Sequence, residues 1–446
     1  IGHERIYSTD RLGIPLIETV TYPDMKTPDE AAEAGQYIRF LTRSNGKVRT
    51  GIGAAREDVN VSINGGTRVE IKGVSRIKWI PMLTHVEAFR QKALLEIKKI
   101  LGEKLKKGEE WNIETAPVDN SILIKAGLTL KKGDKASGKR LPGFRNILSF
   151  FTQPGKTFGD ELSERVKVIA CIDKPNLIHD EDPASKLPEA LFKDICLNTG
   201  GEEDDAFLVV FGPAGDIPMA EETILERCRL AFDGVPNETR KAVNREGITI
   251  FERVLPGPDR MYPDTDSAPI AINDNDIKKL GNNLPSDVSI REETMKKWKI
   301  PKDAFPYIHI RNLFPVIKKI SEELSYSPSF VGTLVGHRIK NIDGKLAISP
   351  GFDYFRLFDI FKYCEKMELD HEIIKLMVPV LIMHPNMDPE SILSTIKFKK
   401  RDKKEIISNI PLLDKQFGTI SKKSDNDAKK RWIMGQLRPI AVGNIS

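Results

Sequence analysis

Cysteine is scarce: Cys171, Cys196, Cys228 and Cys364 are the only four in 446 residues. None approaches a CxxC or CxH spacing, which excludes a zinc ribbon and a disulfide framework and fits a reducing, cytoplasmic compartment. Long apolar runs are missing too. The longest, Leu376 to Met383, has eight residues and contains Pro379, far short of the ~20 that span a bilayer, so no membrane span is expected. No sign of charge dominates: 69 Lys and Arg stand against 64 Asp and Glu, a net charge of +5. That balance excludes a histone-like polycation and an acidic disordered chain. There is no internal repeat, Walker A loop, GxGxxG, HExxH or nucleophile elbow, which leaves Rossmann, zinc-protease and nucleophilic-serine chemistry without support. The first residue is Ile1 and no signal-peptide layout follows it; the chain is expected to have lost its own beginning. What is present, 40% hydrophobic residues, belongs to a globular protein long enough for about three domains.

Residues 11 to 25 read as an extended segment with Leu16, Val20 and Tyr22 on one face. Glu18 falls on that apolar face, and a buried carboxylate needs a partner: a salt bridge, a proton or a metal. A helix follows, with Thr27 as N-cap, Pro28 in the first turn, Glu30 closing a capping box and Asn45-Gly46 as its stop.

Residues 56 to 63 (REDVNVSI) and 68 to 72 (RVEIK) alternate strictly around Asn64, Gly65 and Gly66, the pattern of a β-hairpin. Val59, Val61, Ile63, Val69 and Ile71 share the core face. Arg56, Asp58, Asn60 and Ser62 share the other with Arg68, Glu70 and Lys72. Such a face is either a solvated surface with cross-strand ion pairs or a phosphate-and-metal site, with Arg and Lys for phosphate oxygens and carboxylates for Mg²⁺. Met82, Val86, Phe89, Ala93, Leu94, Ile97 and Leu101 follow helical spacing and predict a helix across the hairpin's apolar face. His85 within it reads as a surface or satisfied helix residue and not as a ligand.

From about residue 115 the texture becomes that of an inserted α+β domain, with a charged linker (Lys131, Lys132, Lys135, Lys139, Arg140) read as a solvated loop in preference to a polyanion contact, and a buried strand at Phe207 to Phe211. The proline-rich stretch Leu255 to Ile270 reads as a cleft wall. Helical patterns occupy 286 to 300 and 311 to 383, broken at Pro315, Pro328 and Pro350. Basic clusters follow, Lys399, Lys400, Arg401, Lys403 and Lys404, then Lys430 and Arg431; they suit solvated helix ends or a phosphate-backbone footprint.

The strings RLGIPLIETVTYPD, AREDVNVSINGGTRVEIKGV and PGPDRMYPDTD resemble the GatB/GatE family of tRNA-dependent amidotransferase subunits. The GG-T-RVEIKGV wording and an insertion like that of bacterial-type aspartyl-tRNA synthetases point to its archaeal GatE branch. The resemblance implies an α+β multidomain protein: a cradle-like α/β catalytic domain (1–125, returning at 248–295), an aspartyl-tRNA synthetase-like α+β insertion (126–247), a helical domain (296–385) and a small helical tail (386–446). It implies phosphorylation by ATP of the γ-carboxylate of glutamate misacylated on tRNA(Gln), then displacement of phosphate by ammonia from a GatD glutaminase subunit in a heterotetramer, with no DNA and no membrane. It further implies Mg²⁺ at Glu18; Arg56, Asp58, Asn60 and Glu70 as catalytic residues; Ser62, Arg68 and Lys72 at the nucleotide or substrate; Arg260, Tyr262 and Asp266 in the cleft wall; and tRNA along the basic clusters. A GLExH-like strand that supplies a Glu and a His to the family's metal site would precede Ile1, and the family's last helix would follow Ser446, so the chain by itself is expected to be inactive. Two other readings stay open, a non-catalytic tRNA-binding protein on a degenerate cradle and, more distantly, a relative of aspartyl-tRNA synthetase.

Overall fold

A computed structural model describes residues 16–49, 54–104, 111–243, 245–254, 270–282, 284–349, 351–420 and 426–445. The chain divides into two compact units, Ile1–Gln36 with Ala55–Ile270, and Tyr37–Ala54 with Ala271–Ser446. The architecture is mixed α+β, with discrete sheets followed by a helical region.

The first helix, α1 (Pro28–Ser44), starts as its sequence predicts. Glu30 N–H donates to Thr27 Oγ1 at 3.2 Å and Thr27 N–H to Glu30 Oε2 at 3.1 Å, a reciprocal capping box that satisfies two otherwise unpaired donors. Gly46 ends it at φ +73°, a conformation that suits glycine.

The hairpin forms from β1 (Glu57–Val61) and β2 (Val69–Val74), with Asn60 opposite Glu70 and Val61 opposite Val69. Val69 and Ile71 are fully buried, each contributing about 1.5–3 kcal/mol by leaving water. The predicted helix is α2 (Ile80–Lys104), and it packs against β1. Val86, Ala93, Leu94, Ile97 and Leu101 are buried as predicted, and the rest of the face differs. Phe89 is 49% exposed and Met82 36%, while Glu87, Arg90 and Gln91 are buried. The apolar spacing missed a polar stripe that has partners of its own inside. Gln91 accepts from Ile63 N–H at 3.2 Å and donates to Val61 carbonyl at 3.0 Å, so one of these side chains ties off the hairpin's end.

Next come β3 (Glu114–Pro117), α3 (Asn120–Lys125), β4 (Asp134–Leu141), β5 (Phe151–Gln153), β6 (Lys156–Thr157), α4 (Phe158–Ile169), β7 (Leu177–His179), α5 (Glu189–Asn198), β8 (Ala206–Pro213), α6 (Ile217–Asp233), β9 (Glu238–Val243) and β10 (Ile248–Val254). β3, β4, β8 and β7 make one antiparallel sheet. The predicted strand Phe207 to Phe211 is the middle of β8 and is buried along its length. The charged linker is a solvated turn only at its start, where Lys131 and Lys132 are exposed ahead of β4; from Asp134 it is a strand, in which Lys135 is exposed, Lys139 is fully buried in an ion pair with Glu221, and Arg140 pairs with Asp205. Those carboxylates let a lysine-rich segment enter a sheet.

The second sheet runs β1-β2-β9-β10. β9 lies parallel to β2, with Glu70 beside Thr239, Ile71 beside Arg240 and Lys72 beside Lys241. β10 returns antiparallel to β9 and places Arg253 opposite Thr239 and Ile250 opposite Lys241, with a bulge between Phe251 and Arg253.

The second unit is helical around one apolar core that includes Ile308, Ile317, Val335, Phe361 and Leu381. Pro315 and Pro328 each sit in the first turn of a helix, Phe314–Glu323 and Pro328–Thr333, where the missing N–H costs nothing; Pro350 lies outside the described residues. At Gly336 an added Cβ would stand 2.4 Å from that of Ala304, so only glycine permits that approach. Among the described residues no helix is long and apolar enough to cross a membrane.

Candidate active site

The outward face of the β1-β2-β9-β10 sheet collects the polar residues that the hairpin pattern predicted. Lys72 Nζ lies 2.8 Å from Asp58 Oδ2 and 3.3 Å from Glu70 Oε1. Burial works to lower the Lys72 ammonium and is outweighed by Asp58 and Glu70, which hold it above its ordinary value. Thr239 Oγ1 donates to the other Glu70 oxygen at 3.0 Å. The Glu70 carboxylate is therefore fixed at both oxygens, one by its own strand and one by β9. Arg56, Asn60, Ser62 and Arg68 are exposed beside this core. Two carboxylates around a single ammonium make a donor set that suits Mg²⁺, which takes one or two protein carboxylates and completes its shell with water and phosphate. Among the described residues no group of three or more His, Cys, Asp or Glu converges as a metal cage.

Sequence reasoning missed Thr239, Lys241 and Arg253. They stand on this face by register, yet β9 and β10 lie far along the chain from the hairpin.

The segment around Glu18 departs from its expectation. Residues 16 to 22 have no regular structure, Glu18 is exposed, and Leu16 and Val20 are 84% and 78% exposed. Alternation alone does not bury a strand. Its backbone groups and apolar face need a neighbour, and no described residue supplies one. Arg260, Tyr262 and Asp266 lie outside the described residues.

Beneath the same sheet lies a buried ion network, in which, among the described residues, Arg165 Nη1 and Arg227 Nε and Nη1 have no hydrogen-bond partner. Glu238 on β9 accepts from Arg165 at 2.6 Å, from Arg240 at 2.7 Å and from Arg90. Glu161 pairs with Arg90 at 2.6 Å and with Arg227 at 2.8 Å. Glu87 pairs with Arg90, and Glu164 with Lys156 and Arg240. All eight Glu and Arg side chains are nearly inaccessible. Burial pushes the Glu238 carboxyl up, but Arg90, Arg165 and Arg240 outweigh it and hold it at about 2.

The predicted tRNA-contacting residues all belong to the second unit. Lys399, Lys400, Lys403, Lys404, Lys430 and Arg431 are exposed; Arg401 is half-buried, paired with Glu405 and donating its backbone N–H to Asn444 Oδ1 at 2.9 Å. A groove of about 330 Å³ in this unit is lined by Phe330, Leu334, His337, Arg338 and Lys375, none of them a predicted site residue.

Residues 2–278 match the GatB/GatE catalytic domain. The chain is 38% identical over 299 residues to the E-type subunit of the glutamyl-tRNA(Gln) amidotransferase of Methanocaldococcus jannaschii, covering 66% of this chain and 47% of that protein. It is 34% identical over 391 residues to the corresponding protein of Thermococcus sibiricus, covering 85% and 60%, and 30% identical over 423 residues to that of Aeropyrum pernix, covering 91% and 64%. The chain spans about half the length of the curated relatives it matches. It belongs to the GatB/GatE family.

Proposed function

We propose that this chain serves as the part of a tRNA-dependent amidotransferase that converts Glu-tRNA(Gln) to Gln-tRNA(Gln). The carrying observation is the sheet face on which Asp58 and Glu70 bracket Lys72 while Arg56 and Arg68 stand exposed beside them; the naming of the relatives as E-type subunits of glutamyl-tRNA(Gln) amidotransferases supports the same reading. The γ-carboxylate of the tRNA-bound glutamate attacks the γ-phosphorus of ATP and ADP leaves. Ammonia, supplied by a GatD-type glutaminase, then adds to the acyl phosphate carbon and phosphate leaves with the C–O electron pair, forming the amide.

Bringing a carboxylate to a polyphosphate joins two anions, and most of the barrier is that charge. Arg56 and Arg68 hold phosphate or carboxylate oxygens, since a guanidinium fork matches both. Lys72, fixed by two carboxylates, presents a point charge beside them. Asp58 and Glu70, with Glu18, hold the Mg²⁺, whose chemistry when bound is to neutralise the phosphoryl oxygens. Asn60 and Ser62 donate or accept hydrogen bonds at the rim. The sheet of β3, β4, β8 and β7 serves as the aspartyl-tRNA synthetase-like insertion, and the basic residues from Lys399 to Lys404 with Lys430 and Arg431 follow the tRNA backbone.

The test uses the chain assembled at its relatives' full length with GatD, glutamine, ATP, Mg²⁺ and Glu-tRNA(Gln). Gln-tRNA(Gln) is the expected product, and Glu70→Gln and Glu18→Ala each abolish it. An unaltered protein that binds the tRNA without converting it would refute the proposal in favour of a scaffold role.

A further inference from the structure

The outward face is wider than the hairpin. Register carries one row from Asn60 through Glu70 and Thr239 to Arg253, and the next from Lys72 to Lys241. The carboxylates Asp58 and Glu70 lie on β1 and β2, and they already engage Lys72. Lys241 and Arg253, on β9 and β10, are exposed, and among the described residues neither has a hydrogen-bond or ion-pair partner. They sit on adjacent strands two residues apart, roughly 8 Å between Cα atoms, so their long side chains can converge on one group. Arg offers a two-pronged donor and Lys a point charge, the combination that suits a phosphate's several oxygens.

We infer that Lys241 and Arg253 form a phosphate-binding edge of the active site, opposite the carboxylate edge made by Asp58 and Glu70. This rests on the amidotransferase reading above. A phosphate on that edge has two sources, the polyphosphate of ATP and the backbone of the tRNA's acceptor end; both would lie with the reacting atoms between the two edges. Glu70 is the shared boundary, its carboxylate turned toward Lys72 on one side and toward Thr239 of β9 on the other.

The experiment measures binding of ATP with Mg²⁺ by calorimetry, and of tRNA(Gln) transcript by filter binding, to the chain assembled at its relatives' full length with GatD and to the same assembly carrying Lys241→Met and Arg253→Gln. Loss of charged hydrogen bonds is expected to weaken one ligand about tenfold or more, and the charge-keeping pair Lys241→Arg, Arg253→Lys to restore most of it. Weakened ATP with unchanged tRNA assigns the edge to the nucleotide. Weakened tRNA, with a shallower salt dependence and unchanged ATP, assigns it to the acceptor end. Both affinities unchanged, while Glu70→Gln still weakens ATP, overturns the inference and leaves the amidotransferase reading standing. An unaltered chain that binds neither ligand overturns both. Because both residues are exposed, equal melting temperatures are expected for all three proteins, which separates lost contacts from lost fold.

Discussion

Glu238, Thr239, Arg240 and Lys241 follow one another on β9, and successive side chains go to opposite sides of the sheet. Glu238 and Arg240 point inward, where arginines and glutamates from α2, α4 and α6 surround them without access to water. Thr239 and Lys241 stand in register with Glu70 and Lys72 on the outward face, where Lys241 is exposed and, among the described residues, unpaired. The same residue types therefore serve two purposes within four residues. Inside, each carboxylate is met by more than one cation, and the carboxylates act as a geometric lock between the sheet and the helices behind it, although Arg165 Nη1 and Arg227 Nε and Nη1 keep no hydrogen-bond partner among the described residues. Outside, among the described residues, cations outnumber the carboxylates that reach them, and the remainder is available to an anion. What separates a structural charge from a functional one here is burial against an opposite charge: the inner groups neutralise one another away from water, and the outer cations stay open to solvent.

The contrast between the two faces breaks most easily at Glu238. Glu238→Ala leaves Arg90, Arg165 and Arg240 facing a buried hole, and removing one partner of such a network typically costs about 3–5 kcal/mol. A fall in melting temperature of roughly 10 °C is expected for a unit of this size. A variant melting within about 2 °C of the parent would show that the inner charges are not a lock. Acid acts on the same carboxylates. Glu161 is held well below its ordinary value of 4.5: burial raises it, and Arg90, Arg227 and Arg240 overcome that. Glu238 lies at about 2 by the same balance, with Arg90, Arg165 and Arg240 as its cations. A depressed folded value means their contribution is complete above pH 4.5 and drains away as pH falls toward 2. His309 in the second unit marks a separate window. Burial, then Arg291, lowers it from 6.5 to about 4, so its buried neutral form costs nothing above pH 6.5 and loses stability as pH falls from 6.5 to 4. Calorimetric melting from about pH 7 down to about pH 2.5 should show two successive losses, the lower one much reduced in Glu238→Ala.

The hairpin was legible because its signals are local: strict alternation, and a glycine, Gly65, at φ +80° in the turn. The other half of the sheet was not. Thr239 meets Glu70 across 169 residues, and parallel pairing over that distance leaves no periodicity to read. The buried network was hidden for a different reason. Glu87, Arg90 and Gln91 share the helical spacing of Leu83 and Leu94, but a charged residue on an apolar face looks like a break in the pattern until its partners are known. The charges on that stripe were the available signal, and weighing them would have demoted Met82 and Phe89. Lys139 repeats the case in β4, where Glu221 admits it to the interior. Around Glu18 the error ran the other way, because alternation was present and the neighbour that would bury it was not among the described residues.

The smallest effect tests the outer face. Lys72 is paired with Asp58 and Glu70, yet all three side chains are 22–41% exposed, and exposed pairs are worth at most about 1 kcal/mol. Lys72→Met should therefore melt within a few degrees of the parent, against the large loss at Glu238. Its consequence is electrostatic. Without the ammonium, Asp58 and Glu70 are left as two carboxylates without their shared cation, and a divalent ion that binds only the folded state stabilises it by RT ln(1 + [L]/Kd), more the tighter it binds. Millimolar Mg²⁺ should raise the melting temperature of Lys72→Met more than that of the parent, with Lys72→Met, Glu70→Gln losing the gain. If Mg²⁺ shifts all three equally, the two carboxylates do not share a cation, and the outer face is a solvated surface whose pairing is as complete as it needs to be.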